Sequence, residues 1–246
     1  VMTVKQKDNQ GGESSKEVRF SKYTDDDKVV VNIDLTDSGG AGLPSQQYLA
    51  LGSGFVVKYS VGVGTAGGGT VDGYSDLKAR VIVKRGSTVV SEFQDAEFVG
   101  VTAGQSYTFD ASPYLKDATA YTVQVEAQAT YQGGTLMKTA TAKVTMVAMT
   151  LETTYSVGNG LADGGYRNDV NIPFTAKGTS GEKNIYYRVN GGQAFTLGLS
   201  AGSGVQQKNV TIPLTQMQEG TNVVEAYAQH ENSGVVSQVH YITLLK

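Results

Sequence analysis

The sequence predicts an all-β fold: two tandem immunoglobulin-like antiparallel β-sandwiches behind a flexible N-terminal arm. Three observations carry this. Val (31) and Thr (25) far outnumber Leu (14), a composition of strands rather than helices. Short β-branched and aromatic runs recur between Gly, Asp and Ser turns. The order of those runs and turns occurs twice along the chain.

Residues 1–16 are polar, rich in Gly, Ser and Lys, and without periodicity, so they read as a linker or arm. From Glu17 the pattern changes. EVRFSKY (17–23) alternates, TDDD (24–27) is a turn, and KVVVNIDL (28–35) is a strand. SGFVVKYSVGVG (53–64), LKARVIV (77–83), TVVSEFQ (88–94), SYTFDA (106–111), AYTVQVEAQATY (120–131) and TLMKTATAKVTMV (135–147) follow as strands. In 120–131 Tyr121, Val123, Val125, Ala127 and Ala129 make one apolar face, and Thr122, Gln124, Glu126 and Gln128 make a wet one. The segments 37–52 and 62–76 are Gly-rich insertions, expected as surface loops.

A second set comprises VNIPFTAKG (170–178), KNIYYRVNGG (183–192), QAFTLGL (193–199), VQQKNVTIPL (205–214), TNVVEAYAQH (221–230) and VVSQVHYITLL (235–245). Asn190-Gly191 is a type I′ hairpin signal, because both central residues need positive φ. SPYLKDA (112–118) and TQMQEG (215–220) are about one helical turn each, and each precedes a strand containing Val-Glu-Ala, at 125–127 and 224–226. The domains are therefore expected at 17–148 and 149–246, with the boundary near Val147–Leu151. The direct run from one closing strand into the next set predicts a rod.

Composition narrows the function classes. With 20 basic and 23 acidic residues, the chain has no basic excess for a phosphate backbone, so no nucleic-acid partner is expected. The absence of Cys excludes disulfides, thiolate metal sites and Cys nucleophiles. Val144–Leu151 is the longest apolar run, far short of the roughly 20 residues of a membrane-spanning helix, so no membrane insertion is expected. Met stands at position 2 behind Val1, which suggests a chain cut from a longer protein or trimmed in maturation.

The chemical motifs are sparse. Gly62-Val63-Gly64-Thr65-Ala66-Gly67 matches G-x-G-x-x-G, but GGTVDGYSD follows it instead of a helix, so it reads as a loop and not a nucleotide site. Asp25–Asp27 with Asp34 and Asp37 lack the spacing of a calcium loop and read as solvated charge. His230 and His240 lie at opposite ends of a hairpin, too far apart for a shared metal. No catalytic residues, cofactor or metal are therefore expected, and the chain reads as non-enzymatic. Tyr48, Tyr74 and Tyr114 sit in or beside loops and are the candidate binding residues, since tyrosine supplies amphipathic contact area. Tyr48 and Tyr74, on the two Gly-rich insertions, would form one binding tip.

NIPFTAKGTSGEKNIYYRVNGGQAFTL with NVTIPLTQMQEGTNVVEAYAQ resembles immunoglobulin-like modules of virion proteins of tailed phages of gut Bacteroidetes, the crAss-like phages among them, and modules of bacterial surface adhesins. The shared pattern is a tyrosine-rich strand into an Asn-Gly hairpin, an I-P-L strand end and an EG-x-x-x-V-E-A stretch. It covers about 100 residues well and the first set more loosely. The resemblance implies a structural or adhesive segment of a larger virion or cell-surface assembly, such as a tail, fibre or capsid-associated part. The alternative is a carbohydrate- or protein-binding accessory module of a secreted bacterial protein. Expected partners are other subunits of a homo-oligomer or assembly and a host-surface glycan. The expected contacts are the arm, the Gly-rich loops, and the sheet edges 17–23 and 235–245.

Overall fold

The computed structural model describes residues 28–90, 97–155 and 165–246, and the backbone of 2–7 and 13–18. Asp25–Asp27, most of EVRFSKY and the end of TVVSEFQ lie outside the described residues. The fold is all-β, and the predicted class holds. Its only helical pieces among the described residues are two 3-10 turns, Ser112–Tyr114 and Leu214–Gln216.

The segment read as an arm contains an antiparallel hairpin: β1 (Met2–Lys7) pairs with β2 (Glu13–Val18), Met2 opposite Val18 and Lys7 opposite Glu13.

Next come β3 (Val29–Asp37), β4 (Gln47–Ala50), β5 (Val56–Thr65), β6 (Tyr74–Arg85), β7 (Thr88–Val89), β8 (Val99–Gly100), β9 (Ser106–Asp110), β10 (Ala120–Tyr131) and β11 (Gly134–Val147). A three-stranded sheet, β3-β5-β9, packs on the sheet β4-β11-β10-β6-β7, with β8 also on β6. Their inner faces meet in one core including Val31, Val57, Val83, Val123, Val125 and Met146, each at most 1% exposed. This is the alternation of β10 seen in the sequence, with its odd-numbered residues inward.

After Ala148 the chain forms β12 (Met149–Thr153), β13 (Val170–Gly178), β14 (Lys183–Val189), β15 (Phe195–Leu199), β16 (Gly204–Ile212), β17 (Thr221–His230), β18 (Val235–Val236) and β19 (His240–Leu245). The sheet β12-β13-β16 packs on β15-β14-β17, with β18 and β19 both on β17. A separate core forms around Ile172, Phe174, Ile185, Ile212, Val224 and Leu244. Strand for strand, the order matches the first set: β3-β5-β9 corresponds to β12-β13-β16, and β11-β10-β6-β7 to β19-β17-β14-β15.

Two matched corners support the correspondence. In the first set the Asp117 N–H donates to the Tyr121 hydroxyl, 2.9 Å, just inside β10. In the second the Gln218 N–H donates to Asn222 Oδ1, also 2.9 Å, just inside β17. Both bonds span four residues and tie the incoming turn to its strand. The tyrosine version recurs in immunoglobulin-like sandwiches.

Three local expectations are corrected. The insertion 37–52 is not wholly a surface loop: β4 within it adds parallel to β11, Gln47 opposite Val144. VVSQVHYITLL is not one strand. Val236 faces Gln229 and His240 faces Ala226, so the pairing slips by one residue around Ser237–Val239. Such a slip is a bulge, held here by the buried Ser237, whose Oγ accepts the Ala228 N–H. Finally, Met149–Thr153, placed at the boundary, is the first strand of the second set. Elsewhere the Asn190-Gly191 turn has φ of 51° and 67°, as a type I′ turn requires.

Candidate functional site

The structure does not bring Tyr48 and Tyr74 together. Tyr48 lies opposite Thr145 at one end of β11. Tyr74 lies opposite Tyr131, and that residue pairs with Gly134 at the other end. Eleven strand residues separate those ends, roughly 37 Å at about 3.4 Å each. Tyr74 packs half-buried on the first core. Tyr114 also packs there and stacks on Phe109, centroids 6.2 Å apart, on the 3-10 turn at the Tyr48 end.

Tyr48 instead packs against the second core. Its ring lies 5.4 Å from that of His230, which is fully buried. His230 Nε2 is 3.1 Å from the Ser180 carbonyl, and Nδ1 is 3.1 Å from Ser233 Oγ. A carbonyl only accepts, so Nε2 carries the proton and, in the neutral ring, Nδ1 accepts from the serine. Gly181 follows with φ of 137°; a Cβ there would come within 2.3 Å of His230 Nε2, so only glycine fits beside the ring. His240 is separate: its Nε2 donates to the Leu151 carbonyl at 2.5 Å, and its ring meets Phe174 edge-on.

Around Tyr48 and His230 the two cores are joined. Ala148, the one residue between β11 and β12, exchanges bonds with Thr179: Ala148 N–H to Thr179 Oγ1 at 3.1 Å and Thr179 N–H to Ala148 O at 3.2 Å. Leu51 N–H donates to Val147 O, closing the end of β4 over the same spot. Lys183, opposite His230 on β14, is 1% exposed. Its Nζ donates to the carbonyls of Thr179, at 3.0 Å, and Gly202. Burial pulls its pKa below the ordinary lysine value. Above this floor opens a cleft of about 460 Å³ lined by residues including Ala118, Ala148, Lys177, Thr179 and Ser203. Among the described residues the lining offers the hydroxyls of Thr150, Thr179 and Ser203 and the amine of Lys177.

The G-x-G-x-x-G segment is the end of β5 and its turn. A Cβ on Gly64 would sit 2.7 Å from the Gly69 carbonyl, while Gly69 N–H donates to Thr65 Oγ1. The glycine therefore serves a close approach of the chain to itself. Asp37 caps the turn after β3, its Oδ1 accepting from the N–H groups of Gly39 and Ala41, both at 2.8 Å. Among the described residues no three His, Asp or Glu side chains gather as a metal site would need.

Sequence reasoning missed the Tyr48–His230 contact and the buried Lys183. The only available signal was that both Lys183 and His230 fall on inward positions of strands otherwise alternating apolar and polar.

No family model matches the chain, and no curated protein matches it. Solved structures similar to it include a tetra-tandem repeat from the extending region of a large adhesion protein (14% identity, 98% of this chain and 55% of that one, TM-score 0.41). Another holds the three N-terminal domains of the bacteriophage RB49 highly immunogenic outer capsid protein (14% identity, 88% and 68%, TM-score 0.40). A third comes from a 1.5-MDa bacterial ice-binding adhesin (13% identity, 88% and 64%, TM-score 0.32). The chain thus spans about half the length of the first of these structures.

Proposed function

We propose that the chain is a non-enzymatic structural and adhesive segment, two sandwich units in series (17–148 and 149–246) within a larger virion or cell-surface assembly. One observation carries this reading: β3, the first strand of the first unit, starts at one end, and β19, the last strand of the second unit, finishes at the opposite end. Val29 starts β3 opposite Thr65, at the end of the first unit away from the junction. Lys246 follows Leu245, which pairs with Thr221 at the end of the second unit away from Gly178, Lys183 and His230. A single-residue connection, a reciprocal Ala148–Thr179 bond pair and Tyr48 seated on the second core stiffen the joint. Force applied along such a chain passes through both units in turn, which suits a spacer. Its partners in this reading are other subunits of the assembly. A host-surface glycan remains part of the proposal at Tyr74 or Tyr114, while Tyr48 acts at the joint.

The test is to stretch the chain between residue 28 and residue 246 by force spectroscopy. The expected record has two unfolding events. At roughly 3.5 Å per residue, residues 28–147 and 149–246 release about 420 Å and about 340 Å of contour. A single event releasing the whole length would overturn the division into two load-bearing units.

A further inference from the structure

The outer face of the second unit's β15-β14-β17-β19 sheet is unlike the rest of the surface. Tyr186 faces Tyr227 across β14 and β17, their rings stacked with centroids 5.5 Å apart. Tyr241, opposite Glu225 on β19, is 68% exposed. Val223, Val236 and Leu245 share this face by register, at 40%, 49% and 42% exposure. Four of the eight exposed large apolar side chains among the described residues thus lie on one sheet face. Scattered exposed apolar residues need no explanation, but a contiguous patch marks an interaction surface.

The first unit provides an internal comparison. At the corresponding place it carries a cross-strand pair, Arg80 and Glu126 at 2.7 Å, matched in the second unit by Arg188 and Glu225 at 2.7 Å. In the first unit the chain itself covers this face. Phe98, from the connection between β7 and β8, lies 4.6 Å from the Arg80 guanidinium, and Ile82 beside it is only 6% exposed. The corresponding segment in the second unit, 192–194 just before β15, is short and carries no ring. The face that the first unit covers from within is open in the second.

We infer that a second copy of this chain covers it, sheet against sheet about a two-fold axis. An isologous contact requires a patch complementary to itself. Arg188 and Glu225 stand side by side at the centre of this patch, so a two-fold axis can set Arg188 of one copy against Glu225 of the other in both directions. The charges of Arg188 and Glu225 cancel within the pair, and the face adds one carboxylate at its edge, Glu231, whose Oε1 accepts from the Tyr186 hydroxyl and from Asn184 Nδ2, both at 3.0 Å. Tyrosine and arginine, both present here, are enriched among the residues that carry most of the energy of protein contacts. Strand positions 221–229 across four strands span about 27 Å by about 14 Å, so each copy contributes on the order of 400 Å². A standard interface takes about 800 Å² per partner. Pairing of the isolated chain is therefore weak and gains from many copies held together. This deepens the assembly reading, yet it can fail while the stretching experiment succeeds.

The test is mass by analytical ultracentrifugation across a concentration series up to about 1 mM, the range of weak binding. The wild type is expected to rise from 26.0 kDa towards twice that mass. Arg188→Glu alone and Glu225→Arg alone are each expected to remain monomeric, because every cross-copy pair becomes like-charged. An equimolar mixture of the two is expected to regain the dimer, since each pair is then opposite-charged again. Tyr241→Ser, at an exposed position, is expected to weaken the dimer at least tenfold with an unchanged circular dichroism melt. A wild type that stays at 26.0 kDa throughout overturns the proposal, and specific glycan binding lost in Tyr241→Ser would then assign the face to a saccharide. Self-association that survives both charge reversals, or a mixture that stays monomeric, overturns it as well.

Discussion

Asn222→Ala is expected to destabilise the second unit far more than the matching change, Tyr121→Phe, destabilises the first. Asn222 is fully buried and uses every hydrogen-bonding group it has. Its Oδ1 accepts from Gln218 N–H at 2.9 Å and from Asn190 Nδ2 at 2.7 Å. Its Nδ2 donates to the carbonyls of Gln218 and Gly220, at 2.8 and 3.0 Å. Asn190, in turn, accepts the Val223 N–H and holds the β14–β15 turn. Alanine removes all four bonds. At about 1 kcal/mol net per bond, less what water recovers at the open side of the corner, the loss is about 3 kcal/mol. Tyr121→Phe removes one bond, to Asp117 N–H, and keeps the ring in the core, so its cost is about 1 kcal/mol. For a unit of this size, 1 kcal/mol moves the melting temperature by about 4–8 °C. The assay is thermal and urea unfolding followed by circular dichroism, with each unit's transition assigned by its own variant. Asn222→Ala within about 0.5 kcal/mol of wild type, or a larger cost for Tyr121→Phe, would refute the reasoning.

Other expectations follow from single contacts. Gly64→Ala drives a Cβ into the Gly69 carbonyl and is expected to cost about 1–3 kcal/mol, whereas Gly62→Ala, with nothing within 4 Å, is expected to be neutral or slightly stabilising in the same urea titration. Tyr48→Ala strips the ring from His230 and the second core; the second transition is expected to fall by about 2 kcal/mol while the first keeps its midpoint. Lys183 has a folded pKa below its unfolded value, so the unfolded chain binds more protons between the two. Stability of the second unit is therefore expected to rise with pH from the depressed folded pKa up to about 10.4, and Lys183→Met is expected to flatten that rise in melts taken from pH 7 to pH 10.5.

Much of the fold was legible in the sequence because strands with one buried face write their burial as alternation. AYTVQVEAQATY and TNVVEAYAQH occupy β10 and β17 residue for residue. β4 escaped notice because its four residues follow a Gly- and Pro-containing stretch, and it is held by parallel pairing to a strand nearly a hundred residues away. That contact is non-local and has no short-range signature. β12 was hidden because VTMVAMTL is apolar on consecutive positions, where one core ends at Met146 and the next begins at Val147. The candidate binding residues were harder still. Loop position and residue type are alike for Tyr48 and Tyr74, and only the register shows that one sits at the joint and the other at the far end. The Tyr186–Tyr227 face was half-visible: adjacent Tyr186 and Tyr187 must point to opposite sides, but which neighbours join the outward one depends on cross-strand pairing.

The central claim is that two separate cores stand in series. Small-angle X-ray scattering of the full chain, extrapolated to zero concentration to remove self-association, tests it most directly. A single globule of 246 residues has a radius of gyration of about 18 Å. Two units of about 14 Å each, with centres about 40 Å apart, give about 24 Å. A value near 24 Å with an elongated pair-distance distribution is expected; a value near 18 Å would contradict the serial arrangement.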